Sequence, residues 1–183
     1  MKEQALFLFE FLRDPQVASV MPTTNLTVEN ICENIDYSNR SIIVEFGPGT
    51  GRVTRGLQKK LGEQSELILI ETNKRFYDTL RKKFRKDKRI SVYNKSAVML
   101  KDILSWEEID RVDYIVSGIP FSLLDENKIE IILNASKIAL EPHGKFIAYQ
   151  FKDSIREHLK KYFARIETED LKRSILKTYI AQN

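Results

Sequence analysis

The sequence predicts an α/β protein with a doubly wound, mostly parallel sheet of seven strands that ends in a C-terminal antiparallel hairpin. From residue 42 onward, short apolar segments alternate with amphipathic helical patterns. This alternation is typical of a parallel sheet covered by helices on both faces. Beyond residue 164 the rhythm changes, and two strand-like segments joined by a turn predict the hairpin at the sheet edge.

Apolar periodicity places the individual elements. An amphipathic helix is expected around residues 28–35, where Cys32 lies on the apolar stripe. Further helices are expected at residues 53–61 (ended by Gly62), 76–84, 125–140 (closed by Pro142 and Gly144) and 153–162. Strands are expected at residues 42–46, 67–70, 90–93, 112–116, 146–151, 164–168 and 175–181, with a turn at 170–173 between the last two.

The length of 183 residues fits one domain, and we expect a single domain over residues 1–183 with residues 1–35 as a helical N-terminal cap. Residues 6–12 form an apolar helical pattern too short to cross a bilayer. Such a helix either packs on the core or lies in a membrane interface, and periodicity does not distinguish these surfaces.

Composition excludes several classes of protein. No apolar run reaches the roughly 18 residues of a membrane-spanning helix, and the N-terminus lacks the pattern of a secretory signal. A cytoplasmic location is expected, with a peripheral position at the inner membrane face as the alternative. Cys32 is the single cysteine, and His143 and His158 are isolated, so neither a disulfide nor a metal site is expected.

A basic stretch occupies residues 74–89, with nine Lys or Arg residues against Asp78 and Asp87. One interpretation is the solvated exterior of a helix. The other is a surface for a phosphate-bearing partner, either nucleic acid or an anionic membrane.

A glycine-rich loop, Gly47-Pro48-Gly49-Thr50-Gly51, follows the first buried strand and precedes a helix. Glycines at alternate positions allow a tight turn and leave room for a nucleotide-like ligand across the strand end. A dinucleotide fingerprint needs Gly or Ala where Arg52 stands, and the Gly-Lys-Ser/Thr ending of a triphosphate loop is absent. The remaining pattern, acidic-x-Gly-x-Gly-x-Gly from Glu45, is that of class I methyltransferases.

Glu71 lies at the end of the next strand, 20 residues after Gly51. An acidic side chain in this place can accept hydrogen bonds from both ribose hydroxyls of a nucleotide. The alternative is a surface glutamate near a helix start, with Thr72 or Asn73 as the N-cap.

Beyond the glycine loop, three motifs make nearly the whole chain similar to class I S-adenosylmethionine-dependent methyltransferases. It resembles the bacterial phospholipid N-methyltransferases, which act on phosphatidylethanolamine, and the catalytic domain of the ribosomal RNA adenine dimethylases. Residues 11–24, ending in Met21-Pro22-Thr23-Thr24, resemble a segment that ends in a Pro-Ser-Ser-like turn. Ser117-Gly118-Ile119-Pro120-Phe121 resembles a Ser-Gly-Leu-Pro motif, and Tyr149-Gln150-Phe151 resembles a Gln-Phe that closes the fifth strand.

The resemblance implies a Rossmann-like methyltransferase fold, S-adenosyl-L-methionine as cofactor and no metal. Lys95-Ser96-Ala97 stands where the family usually has Gly-Asp-Ala against the adenine, and Ser96 can still form a hydrogen bond. The expected cofactor-binding residues are Glu45, Phe46, Gly47, Gly49, Thr50, Gly51, Glu71, Thr72, Ser96, Ala97 and Ser117. The expected catalytic residues are Ser117, Gly118, Pro120 and Phe121.

The residue at position 118 bears on the chemical class of the methyl acceptor. Adenine methyltransferases end their fourth strand in Asn-x-Pro-aromatic, and Gly118 stands at the Asn position. Its carbonyl and Ser117 suit a small primary amine better than a planar base. Phe121 is either a wall facing the cationic centre or a core residue.

Three hypotheses for function remain. The leading one is N-methylation of a phospholipid headgroup amine at an anionic membrane surface. The second is RNA adenine N6-methylation, although no RNA-reading module is expected after the hairpin. The third is a non-catalytic cofactor-binding protein.

Overall fold

The computed structural model describes residues 23–150, 153–170 and 176–183. Its seven strands form one sheet in the order β3-β2-β1-β4-β5-β7-β6. Strands β1 to β5 are parallel, whereas β7 pairs antiparallel with both β5 and β6. The strands are β1 (Ile42–Phe46), β2 (Glu66–Ile70), β3 (Ile90–Tyr93), β4 (Val112–Ser117), β5 (Leu140–Gln150), β6 (Arg165–Asp170) and β7 (Lys177–Gln182). The predicted fold class is confirmed.

Helices cover both faces of the sheet. Numbered within the described ranges, they are α1 (Asn25–Glu33), α2 (Arg52–Lys60), α3 (Lys74–Phe84), α4 (Leu100–Trp106), α5 (Glu126–Ala139) and α6 (Ile155–Lys160). Buried residues of α1, α2 and α3 pack with one side of the central strands, and those of α4, α5 and α6 pack with the other. Each face therefore has its own apolar core.

The elements differ from the sequence prediction in two places. Helix α4 was not predicted, because its apolar residues Leu100, Ile103 and Leu104 span barely two turns. Strand β5 begins at Leu140, immediately after α5, six residues earlier than expected. The strand continues through Pro142 and Gly144. Val112 of β4 pairs with Leu140 and Tyr114 pairs with Lys145, so the residues between Leu140 and Lys145 form a bulge.

Asn30 of α1 and Asn34, directly after the helix, join the beginning of the described residues to the hairpin. The amides of Asn30 and Asn34 both donate to the carboxylate of Glu169 on β6. Thr24 caps α1 by accepting from the backbone N–H of Thr27 at 3.2 Å. The expected helix at residues 6–12 and residues 11–22 of the N-terminal motif lie outside the described residues, as does Phe151. Within the described ranges, no helix has the length and apolar character needed to span a membrane.

Candidate active site

The loops that follow β1, β2 and β4 begin side by side at the carboxyl edge of the sheet. The N–H of Gly47 donates to the carbonyl of Ile70 at 2.9 Å, and that of Gly118 donates to the carbonyl of Phe46 at 2.9 Å. These bonds extend the sheet ladder beyond the strand ends. The structure thus brings the glycine loop, Glu71 and the Ser117–Phe121 loop together, at the edge where parallel α/β sheets bind ligands.

The glycine loop depends on a left-handed backbone. Gly47, Gly49 and Gly51 have φ angles of 64°, 55° and 76°, a region that side chains other than glycine rarely adopt. A Cβ atom at Gly49 would meet nothing within 4 Å, whereas one at Gly51 would lie 2.7 Å from Leu80 on α3. The loop therefore packs on α3 at Gly51 and is open at Gly49, as a ligand cradle requires.

Glu71 links the two loops that would enclose the cofactor. One carboxylate oxygen accepts from the N–H of Gly49 at 2.9 Å, and the other accepts from the N–H of Asn73 at 2.8 Å. Burial raises the pKa of this carboxyl, and the backbone donors oppose that shift. Each oxygen keeps a lone pair for a further donor. Because Glu71 is only 5% exposed, the surface-glutamate interpretation is wrong, although Asn73 does cap α3.

Glu45 lies beneath the glycine loop and is fully buried. One carboxylate oxygen accepts from the hydroxyl of Thr54 on α2 at 2.7 Å, and the other has no hydrogen-bond partner among the described residues. Burial, with a smaller contribution from Glu71, raises the pKa of Glu45 to about 8. A cation bound nearby would favour the ionised form, so this unpaired oxygen fits a cationic cofactor.

The other residues predicted to bind the cofactor differ in their surroundings. The carbonyl of Thr50 accepts from the ammonium of Lys83 at 2.9 Å, and Thr72 is exposed. The Ser96 hydroxyl accepts from the N–H of Val98 and caps a short 3-10 turn, while Ala97 is buried in the core. Ser96 therefore shapes the turn where the adenine is expected, and the residue is partly exposed.

Asn94 is a site residue that the sequence reasoning missed. Its amide donates to the carbonyls of Glu71 at 2.8 Å and Thr72 at 2.9 Å. It thereby fixes the segment after β3 to the segment after β2. An asparagine directly after a buried strand was the available signal, since its short amide can bond to neighbouring backbone.

Hydrogen bonds within the loop and from neighbouring elements hold the Ser117–Phe121 loop in place. The buried Ser117 hydroxyl accepts from the N–H of Ile119 at 3.4 Å, and the Gln150 amide at the end of β5 donates to the carbonyl of Ile119. Pro120 is partly exposed, and its carbonyl accepts from Leu123 at 2.9 Å. Gln150, known from the sequence only as part of a motif, thus positions the loop.

Two of the predicted residues face the core instead of the ligand edge. Phe121 is 1% exposed and packs edge-on against Phe146, with ring centroids 6.4 Å apart. The side chain of Phe46 is fully buried in the same cluster, and only its carbonyl contributes to the site. We therefore remove Phe121 from the candidate catalytic set, because its ring is used in packing. No group of three His, Cys, Asp or Glu residues in the described ranges could hold a metal ion.

A model of the ribosomal RNA adenine dimethylase family matches residues 2–141. The chain belongs to this family. It is therefore a class I S-adenosylmethionine-dependent methyltransferase, as the glycine loop and its companion motifs indicated. The family membership and the fold imply S-adenosyl-L-methionine as the cofactor, and the open Gly49 and the unpaired Glu45 oxygen fit it.

The relatives of this dimethylase-family chain differ in their acceptors. An ornithine lipid N-methyltransferase from Singulisphaera acidiphila is 27% identical over 80% of the chain and 77% of that protein. A ribosomal RNA small subunit methyltransferase A from Hydrogenobaculum is 26% identical over 71% of the chain, and the chain spans only 45% of it. In fold, the chain resembles a SAM-dependent methyltransferase from Aquifex aeolicus, with a TM-score of 0.70 at 14% identity over 98% of this chain and 97% of that one.

Replacing Glu71 by alanine should weaken cofactor binding. The variant loses the predicted ribose acceptors and the link to Gly49, and unpaired buried polar groups cost about 1 to 3 kcal/mol. Calorimetric titration with S-adenosylmethionine measures the change. Asp78→Ala is the matched control, since Asp78 is an exposed carboxylate ion-paired with Lys74 on α3. Unchanged affinity in Glu71→Ala would refute the assignment of this carboxylate to the cofactor.

Replacing Glu45 by glutamine should stabilise the protein increasingly as the pH rises. The folded-state pKa of about 8 lies above the value of 4.5 for an unperturbed carboxyl. Between these pH values the unfolded chain loses its proton while the folded protein keeps it, so the free energy of unfolding falls as the pH rises. The unfolding free energy of the parent protein should fall relative to that of Glu45→Gln between pH 5 and pH 8, by more than about 1 kcal/mol. Urea unfolding of both proteins at the two pH values measures this difference. A difference independent of pH would show that Glu45 stays ionised.

Proposed function

We propose that the protein is an N-methyltransferase that acts on the primary amine of a lipid headgroup similar to phosphatidylethanolamine, at an anionic membrane surface. The glycine loop, Glu71 and the segment around Ser96 hold the cofactor in this proposal. The acceptor enters beside Gly118. The observation that carries the choice of acceptor is the absence of a side chain at residue 118.

S-adenosylmethionine would supply a methyl group bonded to a cationic sulfur. In transfer to an amine, the C–S bond breaks as the nitrogen lone pair forms the C–N bond. The methylated nitrogen then releases a proton. The chain must therefore orient a neutral amine nitrogen and exclude water. Holding two reactants in line accounts for much of the acceleration in such reactions. In this proposal Ser117 and Gly118 orient the acceptor. Their loop is fixed by hydrogen bonds to the Phe46 carbonyl, from the Gln150 amide and to the Ser117 hydroxyl, which supports the proposal.

Gly118 argues against a base as acceptor. A planar adenine needs an acceptor for its amino group and a face on which to stack. Residue 118 offers only backbone, and the nearby aromatic ring of Phe121 is used in the core. An aliphatic amine needs less, since backbone carbonyls and one or two polar atoms suffice to orient it.

The similarity to a lipid N-methyltransferase supports the same acceptor class, because that relative is matched over most of its length. The family model supports the alternative acceptor, an RNA adenine. The two alternatives predict different products from one protein, so a direct comparison of acceptors distinguishes them.

The exposed face of α3 supports a position at an anionic surface. Lys74, Arg75, Arg81, Lys82, Arg85 and Lys86 are all exposed along this helix and its C-terminal end. Of these, Lys74 is paired with Asp78 on the same helix. This row of cations runs from the ligand edge toward the opposite edge of the sheet, so it would meet anionic headgroups when α3 lies along the bilayer surface beside the site.

Methyl transfer should occur to lipid and not to RNA. We expect the protein, supplied with labelled cofactor, to methylate phosphatidylethanolamine or an ornithine lipid in vesicles and to leave adenine-containing RNA unlabelled. Scintillation counting of separated lipid and RNA fractions measures the transfer. Efficient N6-methyladenine formation with inert lipids would favour the RNA alternative, and cofactor binding without any transfer would favour a non-catalytic role.

Reversing charges on α3 should weaken vesicle binding. Each basic residue near an anionic membrane contributes about 1 kcal/mol, so Lys82→Glu with Lys86→Glu should reduce partitioning about tenfold or more. Lys101→Glu with Lys161→Glu is the matched control, because it changes the net charge equally on elements of the other sheet face. Co-sedimentation with anionic vesicles at low and high salt measures the effect, which should shrink with salt. Equal losses in both variants would mean that net charge, and not this face, governs association.

A further inference from the structure

Tyr149 on β5 occupies the space that a side chain at residue 118 would need. Ser117 pairs with Ala148, so the next residues of the two strands, Gly118 and Tyr149, are neighbours at the ligand edge. A Cβ atom built at Gly118 would collide with the Tyr149 hydroxyl and lie 2.7 Å from the ring carbon that carries it. The glycine is therefore required by the tyrosine, and the tyrosine places a polar atom where an asparagine side chain would begin.

No hydrogen bond joins the Tyr149 hydroxyl to a described residue, and the side chain is 7% exposed. Buried tyrosine hydroxyls usually have a hydrogen-bond partner. A Cβ atom built at Gly118 would also lie 3.1 Å from the carbonyl oxygen of Gly47. Two oxygen atoms, one from β5 and one from the glycine loop, therefore flank the end of β4.

Tyr149 stays protonated at neutral pH. Burial, together with the carboxylates of Glu45 and Glu71, raises the pKa of its phenol well above the usual value. A neutral hydroxyl can accept a hydrogen bond through its lone pairs. It is therefore not a base for removing the substrate proton.

We propose that the Tyr149 hydroxyl accepts a hydrogen bond from the acceptor amine and replaces the amide oxygen that an asparagine at residue 118 would supply. This inference rests on the proposed lipid-amine function and adds a residue that contacts the acceptor. One hydroxyl oxygen is enough to accept from one N–H of an aliphatic amine.

The proposal has a consequence for successive transfers. A neutral primary amine has two N–H groups, and a singly methylated amine has one. A dimethylated amine has none. Tyr149 can therefore assist the first and second transfers but not the third.

The test is Tyr149→Phe, which removes one oxygen atom and keeps the ring in the core. Short-chain phosphatidylethanolamine is titrated into the protein saturated with the demethylated cofactor product, and phosphatidylcholine serves as the headgroup without N–H. We expect affinity for phosphatidylethanolamine to fall about two- to tenfold, the value of one hydrogen bond, with phosphatidylcholine unaffected. In turnover assays the variant should slow transfer to primary and monomethylated headgroups and leave transfer to the dimethylated one unchanged. Cofactor affinity should not change.

Tyr114→Phe is the matched control, because the Tyr114 hydroxyl accepts from the N–H of Asp36, which precedes the amino end of β1. It should leave acceptor binding unchanged. If the parent protein methylates phosphatidylethanolamine but Tyr149→Phe binds and methylates all headgroups equally well, the inference fails and the proposed function stands. Equal losses on primary and dimethylated headgroups would also overturn it. If the parent protein neither binds nor methylates any lipid amine, both proposals fail.

Discussion

The hydrogen bond between Glu71 and the glycine loop is the constraint on which the candidate site depends. The three glycines adopt left-handed conformations that place the N–H of Gly49 toward the end of β2. Glu71 receives that N–H and fixes the loop at its own strand, while Asn94 fixes the backbone of Glu71 from β3. Three neighbouring strand ends are thereby held at set distances by short polar side chains. A rigid arrangement of this kind avoids the ordering of loops on each binding event, which would weaken the affinity for the cofactor.

Most of the fold was predictable because its signals are local. The apolar strands β1 to β4 and the helices α2, α3 and α5 appear where periodicity indicated, within a few residues at their ends. Helix α4 was missed because seven residues hold too few apolar positions to show a period. The early start of β5 was missed because Pro142 and Gly144 normally end strands, and a bulge against β4 becomes visible only in the pairing.

The cofactor side of the site was predictable to a greater extent than the acceptor side. The glycine spacing and the position of Glu71 can be read along one short stretch of the sequence, because the two loops follow adjacent strands that are close in the chain. The role of Phe121 could not be read in this way, because a ring after Pro120 can point to the core or to the edge and only packing against Phe146 decides. The contact between Gly118 and Tyr149 joins residues 31 positions apart, so no short motif contains it.

The position of β7 between β5 and β6 affects the order in which the site can form. Strands β1 and β2 are joined by one helix, so the cofactor side can assemble from neighbouring stretches of chain at low entropic cost. Tyr149 lies opposite Thr178 of β7, and β6 reaches the sheet only through β7. Until β7 pairs with it, β5 is an edge strand that is hydrogen-bonded only to β4. The topology therefore allows the cofactor side of the candidate site to form before the side that contains Tyr149, which depends on docking of the hairpin.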